Sequence, residues 1–85
     1  MSWHVAWRRE TKSDLAALWV NAGLRAEITT AANRIDDMLA YDPMAVGESR
    51  DYEHRRILIE RPLAVLYKVE PAERKVIVTR VWRIS

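Results

Sequence analysis

The sequence predicts one α+β domain spanning residues 1–85, in the order β-α-α-β-β-β, with both helices on one face of the sheet. Three observations lead to this prediction. The chain begins with apolar residues at every second position, continues with two segments in which they recur every three to four positions, and ends with three β-branched and aromatic runs. The connections between the three C-terminal runs are too short for a parallel crossover, so these runs are predicted to form an antiparallel meander.

The first strand is predicted from Trp3, Val5 and Trp7, which alternate with less apolar residues as in a strand with one buried face. Thr11 or Ser13 is then expected to cap the first helix, since a hydroxyl can accept a hydrogen bond from a free N–H of the first turn. The apolar stripe of this helix has helical spacing and consists of Leu15, Leu18, Trp19 and Ala22.

The second helix is predicted over residues 25–41. It ends at Asp42-Pro43 because the residue before a proline is forced out of helical geometry. Residues 44–53 are predicted to form a loop. The apolar stripe of this helix consists of Ile28, Ala32, Ile35 and Leu39.

The meander is predicted from the apolar runs at 57–59, 63–69 and 76–82. Two helices can cover only one face of the sheet, yet strict alternation places apolar residues on both faces of the last two strands. A monomer seldom leaves such a face bare, so we expect it to bind a protein partner or a second copy of the chain, or to act as a stacking platform. The residues predicted on this partner-binding face are Leu66, Lys68, Val78, Arg80 and Trp82.

The predicted core follows from the same periodicities. It consists of Trp3, Val5, Trp7, Leu18, Trp19, Ile28, Ile35, Leu39, Val65 and Tyr67.

Composition excludes several classes of function. The sequence has no cysteine, so disulfides and thiolate metal sites are excluded. No histidine and carboxylate cluster has metal-ligand spacing and no glycine-rich phosphate loop is present, so we expect no metal and no cofactor. Without a signal-peptide pattern or an apolar stretch of about 20 residues, the expected location is the cytoplasm, away from membranes.

The net charge of +2 is distributed unevenly. Residues 1–49 hold five basic and seven acidic side chains, whereas residues 50–85 hold nine and five. Most of the basic residues are arginines, which suit contacts with phosphate or carboxylate groups. The basic half could simply be a solvated surface, or it could face RNA, DNA or an acidic protein segment.

Metal-free cleavage of a phosphodiester requires groups that hold the phosphate, stabilise its charge and move protons. Arginines can do the first two, and His54 is a remote candidate for the third. The candidate cations are Arg55, Arg56, Arg61, Lys68, Arg80 and Arg83.

The order of elements and several local patterns resemble the RelE/ParE superfamily of bacterial toxins. Asp14-Leu15 is similar to the family's first helix, and residues 35–43, ending in Asp-Pro, resemble its second. Residues 62–69 (PLAVLYKV) lie where many members have Gly-Tyr-Arg followed by an apolar strand, and residues 76–83 (VIVTRVWR) resemble the last strand and its basic tail. The resemblance covers nearly the whole chain.

This resemblance implies a cytoplasmic toxin that is neutralised by a small antitoxin covering the sheet or the active site. RelE-like members cleave mRNA on the ribosome, and ParE-like members poison DNA gyrase. In this sequence the catalytic arginine of the Gly-Tyr-Arg strand falls on Ala64, and the C-terminal tyrosine of some nucleases has no counterpart.

Two hypotheses follow. In the first, the chain is a ribosome-dependent mRNA endonuclease with Arg55, Arg56, Arg80 and Arg83 as catalytic, phosphate-handling groups. In the second, it is a non-catalytic binding protein, either a gyrase poison or an inactive relative that binds an antitoxin. Ala64 and the missing tyrosine favour the second hypothesis.

Overall fold

The computed structural model describes residues 2–21, 23–49 and 55–84, and it confirms the predicted α+β order. The predicted loop at 44–53 contains an additional short strand in its described part, while residues 50–53 and His54 lie outside the described residues. The elements are β1 (His4–Trp7), α1 (Arg9–Asn21), α2 (Arg25–Tyr41), β2 (Glu48–Ser49), β3 (Arg55–Glu60), β4 (Leu63–Glu70) and β5 (Lys75–Arg83), with one turn of 3-10 helix (Pro71–Glu73) between β4 and β5.

The strands form one five-stranded sheet in the order β1-β5-β4-β3-β2. The meander of β3, β4 and β5 is antiparallel, as predicted. Strand β1 joins the sheet by parallel pairing with β5, which places Val5 opposite Val76. Residues 75–78 of β5 therefore have a strand on each side, whereas β1 does not pair with the part of β5 that follows.

Both helices pack on one face of the sheet, and the core lies between them and that face. Five predicted core residues are fully buried: Ile28, Ile35, Leu39, Val65 and Tyr67. Four others are half-buried against this cluster: Trp3, Val5, Trp7 and Leu18. The prediction for Trp19 is wrong, because its side chain is 41% exposed near the end of α1.

Helix α1 begins earlier than predicted. The N–H of Lys12 donates to the carbonyl of Arg8 at 2.8 Å, which is an i to i−4 bond, so the helix starts at Arg9. Neither Thr11 nor Ser13 is a cap. Thr11 instead lies within the helix, 1% exposed, and its hydroxyl donates to the carbonyl of Thr79 at 2.9 Å.

Strand β5 contains a bulge at Thr79. Tyr67 pairs with Val78 and the adjacent Leu66 pairs with Arg80, so Thr79 is an extra residue in the ladder. The bulge reverses the alternation beyond it, and Val78 and Val81 both point into the core. The prediction that Val78 lies on the partner-binding face is therefore wrong, because alternation counted without a bulge assigns it to the wrong side.

Candidate binding surface on the open face of the sheet

The sheet has a second face, opposite the helices, which we call the open face. Along each strand, the side chains of this face alternate with the buried core residues. On neighbouring strands they lie opposite one another. The described members on the three meander strands are Arg55, Ile57, Ile59, Ala64, Leu66, Lys68, Glu70, Lys75, Ile77, Arg80 and Trp82.

An apolar strip crosses the open face. Ile59 lies opposite Ala64 on β4, and Ala64 lies opposite Trp82 on β5. Ile59 is 54% exposed and Trp82 is 36% exposed, whereas Ala64 between them is only 1% exposed. The neighbouring row consists of Ile57 and Leu66, which pair directly. Exposed Ile and Trp side chains arranged in a continuous strip are typical of an interaction surface.

Cations flank this strip. Arg55 lies directly opposite Lys68, and Arg80 lies opposite Leu66, so all three side chains belong to the open face. Lys68 forms an ion pair with Glu70 at 3.8 Å, but both side chains are substantially exposed and such a pair adds little stability. The open face therefore offers positive charge beside apolar surface.

Arg56 does not belong to the open face. It pairs with Tyr67 on the helix side, and its guanidinium holds the segment between α2 and β3. Its Nε donates to the carbonyl of Val46 at 3.1 Å, and its two terminal nitrogens donate to the carbonyl of Gly47 at 3.1 Å and the hydroxyl of Ser49 at 3.0 Å. Arg56 is thus a structural clamp for this loop.

Tyr67 completes the clamp. Its side chain is fully buried, and its hydroxyl lies 2.8 Å from the carbonyl of Pro43 and 2.9 Å from that of Val46. Burial raises the pKa of Tyr67 above its ordinary value of 10.0, while the nearby Arg56 lowers it in part. The phenol stays protonated near neutral pH and cannot act there as a base.

The four predicted catalytic arginines therefore do not converge. Arg55 and Arg80 share the open face, but Arg56 lies on the other side. Arg83 lies opposite Leu63, whose side chain is in the core, so it follows the helix-side alternation at the exposed end of β5. Of the predicted partner-binding residues, all but Val78 lie on the open face.

Sequence reasoning missed Ile57, Ile59 and Ala64 as members of the strip. The alternation of Ile57 and Ile59 with Leu58 was visible, and so was the alternation of Ala64 with its β4 neighbours, but only the strand pairing shows that all three share a face with Trp82. A cleft of about 370 Å³ adjoins this strip and is lined by Asp14, Leu66, Arg80, Val81 and Trp82.

A second concavity lies between the two helices. This groove of about 480 Å³ has apolar walls that include Leu15, Val20 and Ile28. Trp19 at its rim is held in place, since its indole N–H donates to the Thr29 hydroxyl at 3.0 Å and the guanidinium of Arg25 lies 4.8 Å from the ring. At another part of the groove, the Trp7 indole N–H donates to Asp36 at 2.7 Å.

Within the described ranges, no helix is long and apolar enough to cross a membrane. The same ranges contain no group of three or more His, Cys, Asp or Glu side chains arranged to hold a metal ion.

The sequence matches no protein-family model and no curated protein. The fold, in contrast, matches solved structures of toxin–antitoxin proteins. A chain of the RelBE2 toxin–antitoxin complex from Mycobacterium tuberculosis superposes with a TM-score of 0.80 at 16% identity, covering 98% of this chain and 92% of that one. A chain of the archaeal RelE–RelB complex from Pyrococcus horikoshii gives 0.72 at 14% identity, with 98% and 96% covered. A chain of the chromosomal ParDE system from P. aeruginosa gives 0.69 at 18% identity, with 98% and 97% covered.

Proposed function

We propose that this chain, which has the fold of the RelE/ParE toxins, is the toxin of a type II toxin–antitoxin system and acts in the cytoplasm. The observation that carries the proposal is the open face, where the strip of Ile59, Ala64 and Trp82 lies beside the cations Lys68 and Arg80. A small antitoxin with an apolar and acidic segment would cover this face. The groove between the helices would accept another part of the same partner.

We infer that the toxin acts by binding its target and not by cutting RNA. Arg56 is engaged in holding a loop, and Arg83 lies on the other side of the sheet from Arg80. The position that the resemblance assigns to a catalytic arginine is Ala64, which is packed between Ile59 and Trp82 and has no functional group. This arrangement supports a gyrase-poison type of action, or antitoxin binding alone, over phosphodiester chemistry.

One observation favours ribosome-dependent mRNA cleavage as a second candidate. Arg55, Lys68 and Arg80 lie on one face, and a phosphate placed there would meet several positive charges. His4, on β1 at the far edge of the sheet from Arg55, does not supply a proton-transfer group beside them.

Self-association through the open face is less favourable than binding of an acidic partner. In a two-fold symmetric dimer each cationic row would meet another copy of the same surface. Bringing Lys68 and Arg80 together with their counterparts would cost energy that an acidic segment would instead release. Sedimentation of the purified chain tests this directly, and a stable dimer broken by Trp82→Ala would favour self-association.

The central experiment separates the two modes of action. The chain is induced in cells while growth is followed, and mRNA integrity is measured in a translation extract containing the purified protein. Growth arrest with intact transcripts supports the binding mechanism, transcript cleavage supports the nuclease, and unimpaired growth at confirmed expression of folded protein contradicts the toxin proposal. Arg80→Gln should abolish the effect, whereas Arg9→Gln, which removes an exposed charge on α1, should not.

The partner surface is tested with the protein encoded by an adjacent reading frame. Trp82→Ala should weaken the complex by about 2 kcal/mol or more, roughly 30-fold in Kd, because Trp82 is partly exposed in the free chain and a Trp that a partner buries is among the side chains that dominate interface energy. The variant should remain folded by circular dichroism. An unchanged affinity would place the interface elsewhere.

A further inference from the structure

The bulge in β5 lies directly before the two residues that distinguish the open face. Thr79 is the extra residue, and Arg80 and Trp82 follow it on the outward side while Val81 points into the core. Without a bulge, the pairing of Val78 with Tyr67 would continue as Arg80 opposite Val65 and would bury the guanidinium beneath the helices. The bulge is therefore what makes Arg80 and Trp82 accessible.

Two threonine hydroxyls hold this bulge. The Thr11 hydroxyl on α1 donates to the carbonyl of Thr79 at 2.9 Å, and the Thr79 hydroxyl donates to the carbonyl of Leu66 on β4 at 3.1 Å. The preceding carbonyl, that of Val78, accepts from the N–H of Arg8 at 3.1 Å. The extra residue is thus tied to the neighbouring helix on one side and to the neighbouring strand on the other.

Thr11 is unusual among the described residues. Apart from the Tyr67 phenol, it is the one fully buried side chain there with a polar group, at 1% exposure, and apolar residues of the same size would fill its position without a polar group to satisfy. Its hydroxyl meets the carbonyl of Thr79, which lies just beyond the last residue of β5 that pairs with β1. A buried hydroxyl bonded to this carbonyl indicates that the fold holds Thr79 in one defined position.

We propose that Thr11 and Thr79 are positioning residues for the open face, and that their hydrogen bonds fix the bulge that turns Arg80 and Trp82 outward. The link to binding rests on the proposed function, since it takes the open face as the surface that meets the partner or target. The positioning itself depends only on the geometry of β5. Loss of either hydroxyl should let the part of β5 beyond Val78 exchange between two registers, in which Arg80 and Val81 swap sides of the sheet, without unfolding the other strands.

Thiol labelling measures this positioning, because the chain has no cysteine of its own. Three single-cysteine reporters are used. Arg80→Cys should label rapidly, Val81→Cys should be protected after the bulge, and Val69→Cys should be protected in the core away from it. In the Thr11→Val background, the labelling rate of Val81→Cys should rise about tenfold relative to that of Val69→Cys, as expected when one buried hydrogen bond is lost.

Thr11→Ser keeps the hydroxyl and should restore the original ratio. Thr79→Val, which removes the bond to Leu66, supplies a second test if Thr11→Val does not fold. Equal changes at Val81→Cys and Val69→Cys would mean that the threonines only stabilise the fold, and unchanged rates at both would also overturn the proposal.

The same variants separate this proposal from the proposed function. If the labelling ratio shifts and Thr11→Val also loses growth arrest at equal amounts of folded protein, both are supported. If the labelling ratio shifts but the wild-type chain has no effect on growth and binds no partner, the positioning role is supported and the toxin proposal is contradicted.

Discussion

The roles of Arg56 and Arg80 can be distinguished experimentally, although both were predicted from the sequence to be phosphate-handling groups. Arg56→Met keeps the aliphatic length of the side chain but removes the donors to the carbonyls of Val46 and Gly47 and to the Ser49 hydroxyl. We expect Arg56→Met to lower the free energy of unfolding, and we expect the fraction of the variant that is folded to keep the activity of the wild-type chain.

The magnitude follows from these contacts. A hydrogen bond from a charged donor contributes about 1.5–3 kcal/mol, and two of the three acceptors are partly buried main-chain carbonyls. The bond to Ser49 is exposed and adds little. A total of about 2–4 kcal/mol is expected, since such contributions are not additive, and this lowers the Tm of a domain of this size by roughly 10–25 °C.

The assay is thermal unfolding followed by circular dichroism, with Arg80→Met as the matched control. Arg80 is exposed on the open face, so its replacement should change the free energy of unfolding by no more than about 0.5 kcal/mol. Growth arrest is then compared at equal amounts of folded protein and should be lost for Arg80→Met alone. Equal Tm values for both variants, or loss of activity in folded Arg56→Met, would refute the clamp.

Three further predictions concern stability. Ile35→Ala and Val65→Ala each remove a fully buried side chain, and we expect losses of about 2–4 kcal/mol for Ile35→Ala and somewhat less for Val65→Ala in urea unfolding, whereas unchanged midpoints would contradict the packing. Gly47→Ala should destabilise by more than about 1 kcal/mol, because φ is +70° and the new Cβ would lie 2.5 Å from the Ile57 carbonyl oxygen and 2.8 Å from the Tyr67 hydroxyl. Full wild-type stability for Gly47→Ala would mean that this loop rearranges freely. Because the pKa of Tyr67 is higher in the folded than in the unfolded chain, its contribution is complete below pH 10 and is lost as pH rises through the folded pKa, so stability should fall more steeply above pH 10 than in Tyr67→Phe.

Local patterns in the sequence predicted much of this fold. Helix α2 has the predicted bounds of 25–41, because its apolar stripe is regular and Pro43 provides a clear stop. The three meander strands were also predictable from their β-branched runs. Strand β2 was not, because its two polar residues, Glu48 and Ser49, show no apolar period; Arg56 and Tyr67 hold the segment just before it beside β3.

The candidate site was less predictable, because its composition depends on pairing between strands. The sequence does not indicate the bulge at Thr79, because the alternation through Val76, Val78 and Arg80 appears continuous. Arg56 and Arg55 are adjacent in the chain, so one of them must face the helices, but only the register with Tyr67 and Lys68 shows which. Residue types identified the chemistry of the open face, and long-range pairing decided which side chains belong to it.

The parallel pairing of β1 with β5 has a consequence for how the chain folds. His4 and Lys75 are register partners although nearly the whole sequence separates them, and β5 also supplies the inner strand against which β4 pairs. During synthesis, β1 and both helices are made before β5, so the hydrophobic core cannot close until β5 emerges. Loop closure over such a distance slows folding, and the early segments stay exposed to chaperones and proteases in the meantime. The nascent chain therefore has no assembled open face until β5 has been translated and has left the ribosome.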